Sequence, residues 1–581
     1  METSFQNGAI IARGKFWEEA VYDVCANDLR VCFDGNGGIT NYSVCNHPGS
    51  YLRKSYLNVF VNGVKLDAFT DKTVEMIGRT QRIVLDAIGG KIEVFQFIPK
   101  RGNALCCEIT AEKHAKYDFA FVFGNASKTF AYAADAENEH VTENHSVYLH
   151  TDKSVRFVCA FGSDEENCKD ILFRFSALKQ EILDEIKSVK IPATAKTERD
   201  KALYVSSIFC ALENYQEIGE YHGFSAGCNY ISPLRTYFRD AYWTVLCMYK
   251  DHADLVRNEI LTLARGIDEN GDCPSAVTFE LKQHWPNHYD SPSYFVLMIY
   301  DYVNRTGDFS ILDETVNGKT VYDWCLNAID KLAAYEDETH LIVKEGPYNK
   351  RDWADEVNRI GYVSYLELLY ARALYCLSRI AGKRDETLAR KYYGMYLQTK
   401  AAIDKILWDD EKGYYINYKN GNFVEDNLSV DTVVAVLFGI SDERKTERLL
   451  DNVAKMLESK NNKIQRAGDF GVMSVFPFYK GIDRYHNKSS QDYEYHNGAV
   501  WPYLAALVAY AEAKNGRDHV YALTSSFDWN IAKGNYTPIE YYSPIRPDGS
   551  LLQAWSSDAA WVYDWLDDDF FKENRTVWKT K

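Results

Sequence analysis

The spacing of hydrophobic residues divides the chain into two unlike halves. Up to about residue 165, apolar and polar positions alternate in short runs such as RIVLDAI, KIEVFQFI and VRFVCAFG, with turn residues between them. This alternation predicts β-strands. From KDILFRFSALKQEILDEIKSVK onward the apolar positions follow the helical period instead. We therefore predict a β-rich domain over residues 1–168, a linker helix over 169–195 and a helical domain over 196–581.

The helical half contains close to twelve amphipathic stretches, arranged in consecutive pairs with connecting loops of very unequal length. We find no fixed sequence period, which disfavours a solenoid of repeats. A closed toroid of paired helices, the (α/α)6 barrel, fits the pattern better, with the long loops gathered at one end around a pocket. The predicted helices lie near residues 198–215, 235–249, 252–265, 291–306, 317–335, 360–381, 386–405, 428–438, 441–458, 496–515, 517–530 and 554–568.

Composition narrows the class of ligand. The 581 residues carry a formal net charge of -17, which disfavours nucleic acid and anionic membranes as partners, because both attract basic surfaces. Aromatic residues make up 14% of the chain, with 42 Tyr and 12 Trp. Flat rings that stack and also form hydrogen bonds suit polyhydroxylated ligands, so we expect a carbohydrate partner.

Cysteine usage and the termini predict a reduced, cytoplasmic protein. The 13 cysteines show no spacing typical of zinc or redox sites, and we expect buried thiols. The N-terminus lacks a basic region followed by an apolar core, and no run approaches the ~20 apolar residues of a membrane span. No metal or organic cofactor is implied. The β-rich half offers a surface for a homo-oligomer.

The first loop with candidate chemistry is SPLRTYFRDAYWTV. Adjacent Arg239 and Asp240 can hold two neighbouring hydroxyls, one by donation and one by acceptance. The alternative is a helix start capped by an acid. The rings that enclose this pair are Tyr237, Phe238, Tyr242 and Trp243.

The second loop, GPYNKRDWADEVNR, places Asp352 and Asp355 on either side of Trp353. Gly and Pro ahead of the acids indicate a loop rather than a charged helix face. Asp355 is the candidate proton donor, and Asp352 is the second choice.

The third loop, QDYEYHNGAVWPYLAALV, precedes a predicted helix. The alternative interpretation of this loop is an ordinary helix start capped by Asn497. No His or Cys lies near His496 at a spacing typical of metal ligands. The candidate sugar contacts here are His496, Asn497, Gly498 and Trp501.

The fourth loop, GNYTPIEYYSPIRPDGSLLQAWSSDAAWVYDW, supplies a partner for Asp355. Glu540 lies between a proline and two tyrosines, and Gln553 and Trp555 follow. A lone Glu in a loop is usually solvated. Two carboxylates in different aromatic loops of one barrel mouth, however, are what glycosidic bond cleavage requires: one acid donates a proton and the other activates water.

The order FRDAYW, WAD, YHNGAVWP and PIEYYSPIRPDGSLLQAWS resembles the (α/α)6-barrel inverting glycoside hydrolases. These include the glucosidase domain of glycogen debranching enzyme, the neutral/alkaline invertases, and processing α-glucosidases with their mannosylglycerate hydrolase relatives. The resemblance covers residues 196–570 roughly, in collinear order. The first half is similar in kind to the β-sandwich domains that precede such barrels.

This resemblance implies an exo-acting inverting hydrolase with Asp355 as general acid and Glu540 as general base. Inversion leaves ~6.5–9.5 Å between the carboxyls for the attacking water. Two departures from the family pattern are Ala354, in place of a larger apolar residue, and Glu356, which adds a charge beside the acid. An ionised Glu356 is expected to raise the pKa of Asp355.

Three other functions remain open. DWAD also resembles the DWND tract of cellobiose phosphorylases, in which phosphate replaces water and no base is needed. A non-catalytic carbohydrate-binding protein would use the same toroid without turnover. A polysaccharide lyase would use His288 and Tyr289 of QHWPNHYDSPSY, although Trp285 in that loop also serves as a sugar contact in a hydrolase pocket.

Overall fold

We describe the fold from a computed structural model of the chain. It describes residues 2–14, 21–26, 29–35, 37–44, 52–87, 90–112, 117–123, 130–136, 138–141, 146–151, 154–161, 165–228, 233–346, 352–480, 489–546, 550 and 553–567.

The N-terminal half consists of antiparallel strands, as the alternating pattern predicts. Their bounds are β1 Glu2–Gln6, β2 Ala9–Arg13, β3 Tyr22–Ala26, β4 Leu29–Phe33, β5 Ile39–Val44, β6 Leu52–Val61, β7 Val64–Lys65, β8 Lys72–Ile77, β9 Thr80–Ala87, β10 Gly90–Phe97, β11 Ala104–Ala111, β12 Tyr117–Phe123, β13 Phe130–Ala134, β14 Asn138–Val141, β15 Ser146–Thr151 and β16 Ser154–Phe161.

These strands form two sheets that pack against each other. One sheet has the order β1, β2, β8, β9, β10, β11, β16, β13, and the other has the order β14, β15, β12, β6, β5, β4, β3, with β7 beside β6. Phe121 of β12 stacks on Phe157 of β16, with ring centroids 3.9 Å apart, so one apolar layer joins the two sheets. The prediction of a β-rich N-terminal region is confirmed.

Two helices, α1 Glu165–Phe173 and α2 Phe175–Ser188, occupy most of the segment where one linker helix was predicted. They pack on the outer face of the first sheet, where Phe175 meets Phe97 edge to face at 5.2 Å. The sheet is therefore covered on both faces.

Twelve further helices follow within the described residues, close to the predicted positions. They alternate between an outer and an inner ring, and successive inner helices contact one another. The outer helices are α3 Glu198–Glu213, α5 Ala253–Arg265, α7 Val321–Ala333, α9 Glu386–Ile406, α11 Glu443–Met456 and α13 Val520–Ala532. The inner helices are α4 Phe238–Val245, α6 Ser291–Thr306, α8 Ser364–Ala381, α10 Val434–Leu437, α12 Pro502–Lys514 and α14 Ala560–Trp565.

The inner ring is closed by contact between its first and last helices. Trp243 of α4 and Trp561 of α14 are both fully buried, and their rings lie 5.9 Å apart. Tyr503 of α12 also packs on Trp243, at 5.7 Å. Large aromatic side chains thus pack together where the two ends of the inner ring meet, as expected for a core that buries much of a chain rich in Tyr and Trp.

Local sequence fixes several helix ends. Thr197 and Thr320 each form a reciprocal capping box with the acid three residues later, which satisfies otherwise unpaired N–H groups of α3 and α7. Asp385 and Asp442 cap α9 and α11 in the simpler way. Gly307, with φ of 73°, ends α6 in the left-handed conformation that glycine adopts without strain.

Short strands occupy the loops between helices. They are β17 Tyr215–Ile218, β18 Tyr221–Phe224, β19 Arg235–Tyr237, β20 Ala276–Thr278, β21 Gln283–His284, β22 Thr315–Val316, β23 Lys319–Thr320, β24 Tyr362–Val363, β25 Trp408–Asp409, β26 Tyr414–Tyr415, β27 Tyr418–Asn420, β28 Phe423–Glu425, β29 Leu428–Ser429 and β30 Val475–Phe476.

The sandwich packs on α3 of the helical domain. The buried Glu213 accepts a hydrogen bond from the backbone N–H of Cys25 at 3.1 Å, and burial raises the pKa of Glu213 to about 8. Cys25 also forms a disulfide with Cys228, which corrects the expectation that every cysteine is a thiol. The other described cysteines are buried thiols.

Candidate active site

A cavity of about 150 Å³ opens at the end of the ring where the inner helices begin. First-turn residues of α4 and α12 and the loops ahead of α6, α8 and α14 contribute its wall. A rigid ring therefore presents side chains from distant parts of the sequence at one point. The lining residues are Arg235, Tyr237, Arg239, Asp240, Trp285, Trp353, Asp355, Glu356, Tyr495, Trp501, Tyr503, Glu540 and Trp555.

A buried ionic network holds the loop that carries Asp355. Arg359 binds Asp352 at 2.8 Å and Asp431 at 2.7 Å, and Lys344 binds Asp352 at 2.6 Å. All four of these side chains are fully buried. The indole N–H of Trp353 donates to Asp431. Because each charge has a partner, the network fixes the position of Trp353 instead of exposing unpaired ions.

The same network distinguishes the two candidate acids. Burial alone would raise the pKa of Asp352, but the charges of Arg359 and Lys344 outweigh it and hold that pKa well below its usual range. A carboxyl that stays ionised has no proton to donate. Asp355 instead lines the cavity, with 18% of its side chain exposed.

Glu540 lies in the wall of the same cavity and is 6% exposed. The Tyr495 hydroxyl donates to its carboxylate at 3.5 Å. The next residue, Tyr541, stacks on Trp501 with ring centroids 5.4 Å apart. Burial and the adjacent Glu540 raise the pKa of Tyr541 to about 12. The structure therefore brings Asp355 and Glu540 into one aromatic pocket.

His496 lies behind the pocket wall, where it supports the Asp355 loop. Its ring stacks on Trp501 at 5.0 Å and meets Trp353 edge to face at the same distance. Nδ1 accepts the backbone N–H of Glu356 at 3.4 Å, so the neutral ring carries its proton on Nε2. That atom lies 4.0 Å from Oδ1 of Asp355.

Arg239 is oriented by a second buried acid. Asp290, directly ahead of α6, binds Arg239 at 3.0 Å and His288 at 2.5 Å. Burial alone would raise the pKa of Asp290, but His288 and Arg239 outweigh it and lower that pKa. Arg239 also lies 3.8 Å from Asp240, whose pKa is raised by burial. The pair can offer a donor and an acceptor to neighbouring hydroxyls.

The structure brings most of the predicted site residues together. Besides the two carboxylates, the predicted residues in the cavity wall are Tyr237, Arg239, Asp240, Trp285, Trp353, Trp501 and Trp555.

Six predicted contacts lie outside the wall and have structural roles instead. Phe238 and Trp243 are core residues of α4, and the side-chain amide oxygen of Asn497 accepts a hydrogen bond from the backbone N–H of Tyr479. Gly498 has φ of 100° and lies close to Phe478. The remaining two are His496 and Gln553, which forms a backbone bridge with Ile539.

Four residues of the wall were not predicted as site residues: Arg235, Glu356, Tyr495 and Tyr503. Arg235 lies in the same SPLRTYFRD segment as Arg239, and its side chain bonds the Tyr237 hydroxyl at 2.8 Å. Tyr495 directly precedes His496, and Tyr503 follows the Trp-Pro start of α12. Glu356 directly follows Asp355. Proximity to a predicted motif is the signal that could have identified all four.

Trp285 forms the exposed rim of the cavity, with 38% of its surface accessible. It stacks on His284 at 4.6 Å, and burial together with Arg235 lowers the pKa of His284 to about 4, so the imidazole is neutral.

If Trp285 stacks on a sugar ring of the substrate, Trp285→Ala will raise the KM for that substrate about 3- to 10-fold, because one aromatic contact is lost, and will leave kcat unchanged. Steady-state kinetics of the Ala and Phe variants test this, with Phe expected to restore most of the affinity. Phe423→Ala is the matched control, since Phe423 is 42% exposed and lies outside the cavity. A fall in kcat without a change in KM would contradict the prediction.

The described part of the chain contains neither a cluster of metal-binding side chains nor a helix suited to span a membrane. No group of three or more His, Cys, Asp or Glu side chains is arranged to hold a metal ion there. Among those residues, no helix has the length and apolar character needed to cross a membrane.

The chain has a glycosidase-like (α/α)6 fold, and its sequence is similar to that of several known proteins. Residues 235–521 match the catalytic domain of the glycosyl hydrolase 94 superfamily. N,N'-diacetylchitobiose phosphorylase of Vibrio furnissii is 28% identical over 251 residues, 39% of this chain and 29% of that protein. Cellobionic acid phosphorylase of Neurospora crassa is 28% identical over 209 residues, 33% of this chain and 24% of that protein.

A solved structure supports the fold of the whole chain. A bacterial glucoamylase complexed with acarbose has a TM-score of 0.63 and 12% sequence identity, with 98% of this chain and 96% of that one covered. The curated phosphorylases, in contrast, are matched over less than a third of their own length.

These comparisons correct the predicted reaction. The expectation of a glycosidase that hydrolyses O-glycosyl bonds is wrong, because the curated relatives are phosphorylases and the family match includes the DWAD tract. The alternative drawn from the likeness of DWAD to DWND is the better supported one. The particular hydrolase relatives suggested by the other motifs are not confirmed.

Proposed function

We propose that the protein is an inverting glycoside phosphorylase that acts on a small saccharide. A phosphate oxygen attacks the anomeric carbon as the bond to the bridging oxygen breaks, and Asp355 gives its proton to that oxygen. The products are a sugar 1-phosphate and a shortened saccharide. A single displacement at the anomeric carbon inverts its configuration.

The observation that carries the proposal is the position of Asp355. It lies in the cavity, within the segment that matches the phosphorylase-containing superfamily, while Asp352 is held ionised by two cations. We place the reaction in an (α/α)6 barrel formed by residues 196–581 and preceded by a β-sandwich domain over 1–168. The helices α1, which begins at Glu165, and α2 connect the two.

Phosphate needs cationic groups beside the sugar. Arg235 and Arg239 supply guanidinium groups to the cavity wall, and we assign them to phosphate and to the adjacent sugar hydroxyls. Arg239 is held in place by Asp290 at 3.0 Å, so its orientation is set before the substrate binds.

The size of the cavity supports an exo mode of action. Its volume of about 150 Å³ lies below the ~300–1,000 Å³ of pockets that enclose drug-sized ligands, which suits one terminal sugar ring. The exposed Trp285 at the rim would then contact the next sugar.

NMR of anomeric protons and of phosphorus tests the reaction. Cellobiose, N,N'-diacetylchitobiose and related disaccharides are incubated with the protein, with and without phosphate. We expect a sugar 1-phosphate of inverted configuration in the presence of phosphate only. Free monosaccharide released in phosphate-free buffer would contradict the proposal, and binding without turnover would indicate a carbohydrate-binding protein.

In hydrolysis Glu540 would be the general base, whereas in phosphorolysis we predict a different role for it. Phosphate needs no base to activate it, so we assign Glu540 to accept a hydrogen bond from a substrate hydroxyl.

Glu540→Gln will therefore weaken binding of the saccharide about 10-fold, the cost of replacing one charged hydrogen bond, while phosphorolysis continues. Saturation kinetics at constant phosphate measure the KM and kcat. Tyr495→Phe, which removes the donor to Glu540, is the milder companion variant. Complete loss of phosphorolysis in Glu540→Gln would show that Glu540 is essential to the chemical step.

A further inference from the structure

A second, larger cavity lies in the bore of the helix ring. Its volume is about 460 Å³, roughly three times that of the catalytic cavity. We call it the far cavity. The side chains on which its chemistry depends are Asp301, Asn304, Arg305, Arg372, Tyr396 and Trp565.

The far cavity lies toward the opposite ends of the inner helices. In α12, Tyr503 lines the catalytic cavity and Tyr510 lines the far cavity, seven residues or about 10 Å further along the axis. α6 follows the same course, since Asp290 ahead of its first turn orients Arg239 whereas Arg305 in its last turn lines the far cavity. One ring of helices thus has a polar cavity at each end.

Aromatic rings and guanidinium groups alternate around the far cavity. Arg305 lies over the ring of Trp565 at 5.0 Å, and Arg372 lies over that of Tyr375 at 5.2 Å. Tyr375 in turn meets Tyr396 at 5.5 Å. The rings hold the guanidinium groups in fixed planes, and donors oriented in this way are suited to the hydroxyls of a sugar.

Buried polar groups provide hydrogen-bonding capacity. Asp301 is 6% exposed and accepts the Tyr242 hydroxyl at 3.2 Å, and Asn304, one helical turn further on, is 4% exposed. Carboxylate, amide and guanidinium groups around one cavity offer both acceptors and donors to adjacent hydroxyls.

The charge balance favours a neutral ligand over an anion. The wall has two guanidinium groups and one carboxylate, an excess of one positive charge. The C-terminal ends of the inner helices carry partial negative charge on their carbonyl groups, which offsets that excess. A phosphate group is favoured at helix N-termini instead, and those lie at the catalytic end.

We propose that the far cavity binds a neutral saccharide, as a carbohydrate site separate from the catalytic cavity. This inference does not depend on whether the catalytic cavity carries out phosphorolysis. The polar groups that would contact the saccharide are Asp301, Asn304 and the two arginines, which line the far cavity and not the catalytic one.

Fluorine NMR of protein labelled with 5-fluorotryptophan tests the proposal. Cellobiose is titrated into the full-length Asp355→Asn variant in phosphate-free buffer, so that no turnover occurs, and Trp565→Phe identifies the Trp565 signal. We expect the Trp565 signal to shift and to saturate with cellobiose. Arg372→Met should raise the Kd for cellobiose obtained from this titration about 10-fold or more, because hydrogen bonds from a charged donor are lost.

Two further variants separate this site from the catalytic one. Val436→Phe fills the far cavity without removing a charge and should abolish the Trp565 shift, while urea unfolding shows whether the fold is retained. Arg239→Met alters the catalytic cavity and should leave the Trp565 titration unchanged. An unresponsive Trp565 signal, or one that responds equally in Val436→Phe and is lost in Arg239→Met, would overturn the proposal.

Discussion

Replacing Asp355 by Asn will lower kcat for phosphorolysis of a disaccharide about 10²- to 10⁴-fold, the usual contribution of a general acid. The amide has the shape of the carboxyl but no acidic proton for the bridging oxygen. Initial rates of sugar 1-phosphate release measure the effect. An aryl glycoside whose leaving group needs no proton should lose far less activity, because its bond breaks without an acid.

The adjacent carboxylate provides a matched control. Glu356 also lines the cavity, and Glu356→Gln makes the same chemical change one position further along the loop. It should change kcat less than about 10-fold, since no proton transfer depends on it. Equal losses in the two variants, for both kinds of leaving group, would remove Asp355 from the role of acid.

The second large effect is expected at Arg359. Its side chain is fully buried between Asp352 and Asp431, so Arg359→Met leaves both acids without their strongest partner. Removal of one member of a buried ionic network costs about 3–5 kcal/mol. We expect the urea midpoint of the helical domain to fall accordingly, together with activity, because Trp353 and the Asp355 loop lose their anchor.

An exposed arginine tests whether burial is the cause of the loss of stability expected for Arg359→Met. Arg390 pairs with Glu386 at 3.4 Å on the surface of α9, with 71% of its side chain exposed, and Arg390→Met should change stability by less than about 0.5 kcal/mol.

The effect of Arg359→Met should also depend on pH. The pKa of Asp352 is lowered in the folded protein, so its ion pairs stabilise the fold above the ordinary Asp pKa of about 4, and this stabilisation is lost as the pH falls below that value. The difference between wild type and Arg359→Met should therefore narrow in acid. A difference that is constant from neutral pH to pH ~3 would contradict the assignment to Asp352.

Helix positions and the pocket loops were predictable because their signals are local. The apolar period gave α9 as 386–405, against Glu386–Ile406 in the structure, and Asp385 caps it. Aromatic residues next to Arg239 and Asp355 in the sequence indicated loops that contact a ligand, which a purely structural scaffold would not need. These signals need only a window of about 15 residues.

The buried network was not predictable, because Asp431 is distant in sequence from the other three members, Lys344, Asp352 and Arg359. Arg359 and Asp431 are 72 residues apart, and each resembles an ordinary surface charge when taken alone. The same limit explains His496, which lies in a motif predicted to contact sugar but packs behind the cavity wall instead of in it. Hydrolysis was ranked above phosphorolysis for a chemical reason, since a carboxylate such as Glu540 is compatible with either water or phosphate as its neighbour.

Closure of the inner ring has a consequence for how the protein loses function. Arg235 and Trp555 line one cavity although 320 residues separate them, and the contact of Trp243 with Trp561 is what brings the two ends of this sequence together. The closing helix, α14, is six residues long, so few backbone hydrogen bonds hold it. Local opening at this seam removes one wall of the cavity while the rest of the ring stays folded. Catalytic activity is therefore a more sensitive reporter of ring closure than helical content.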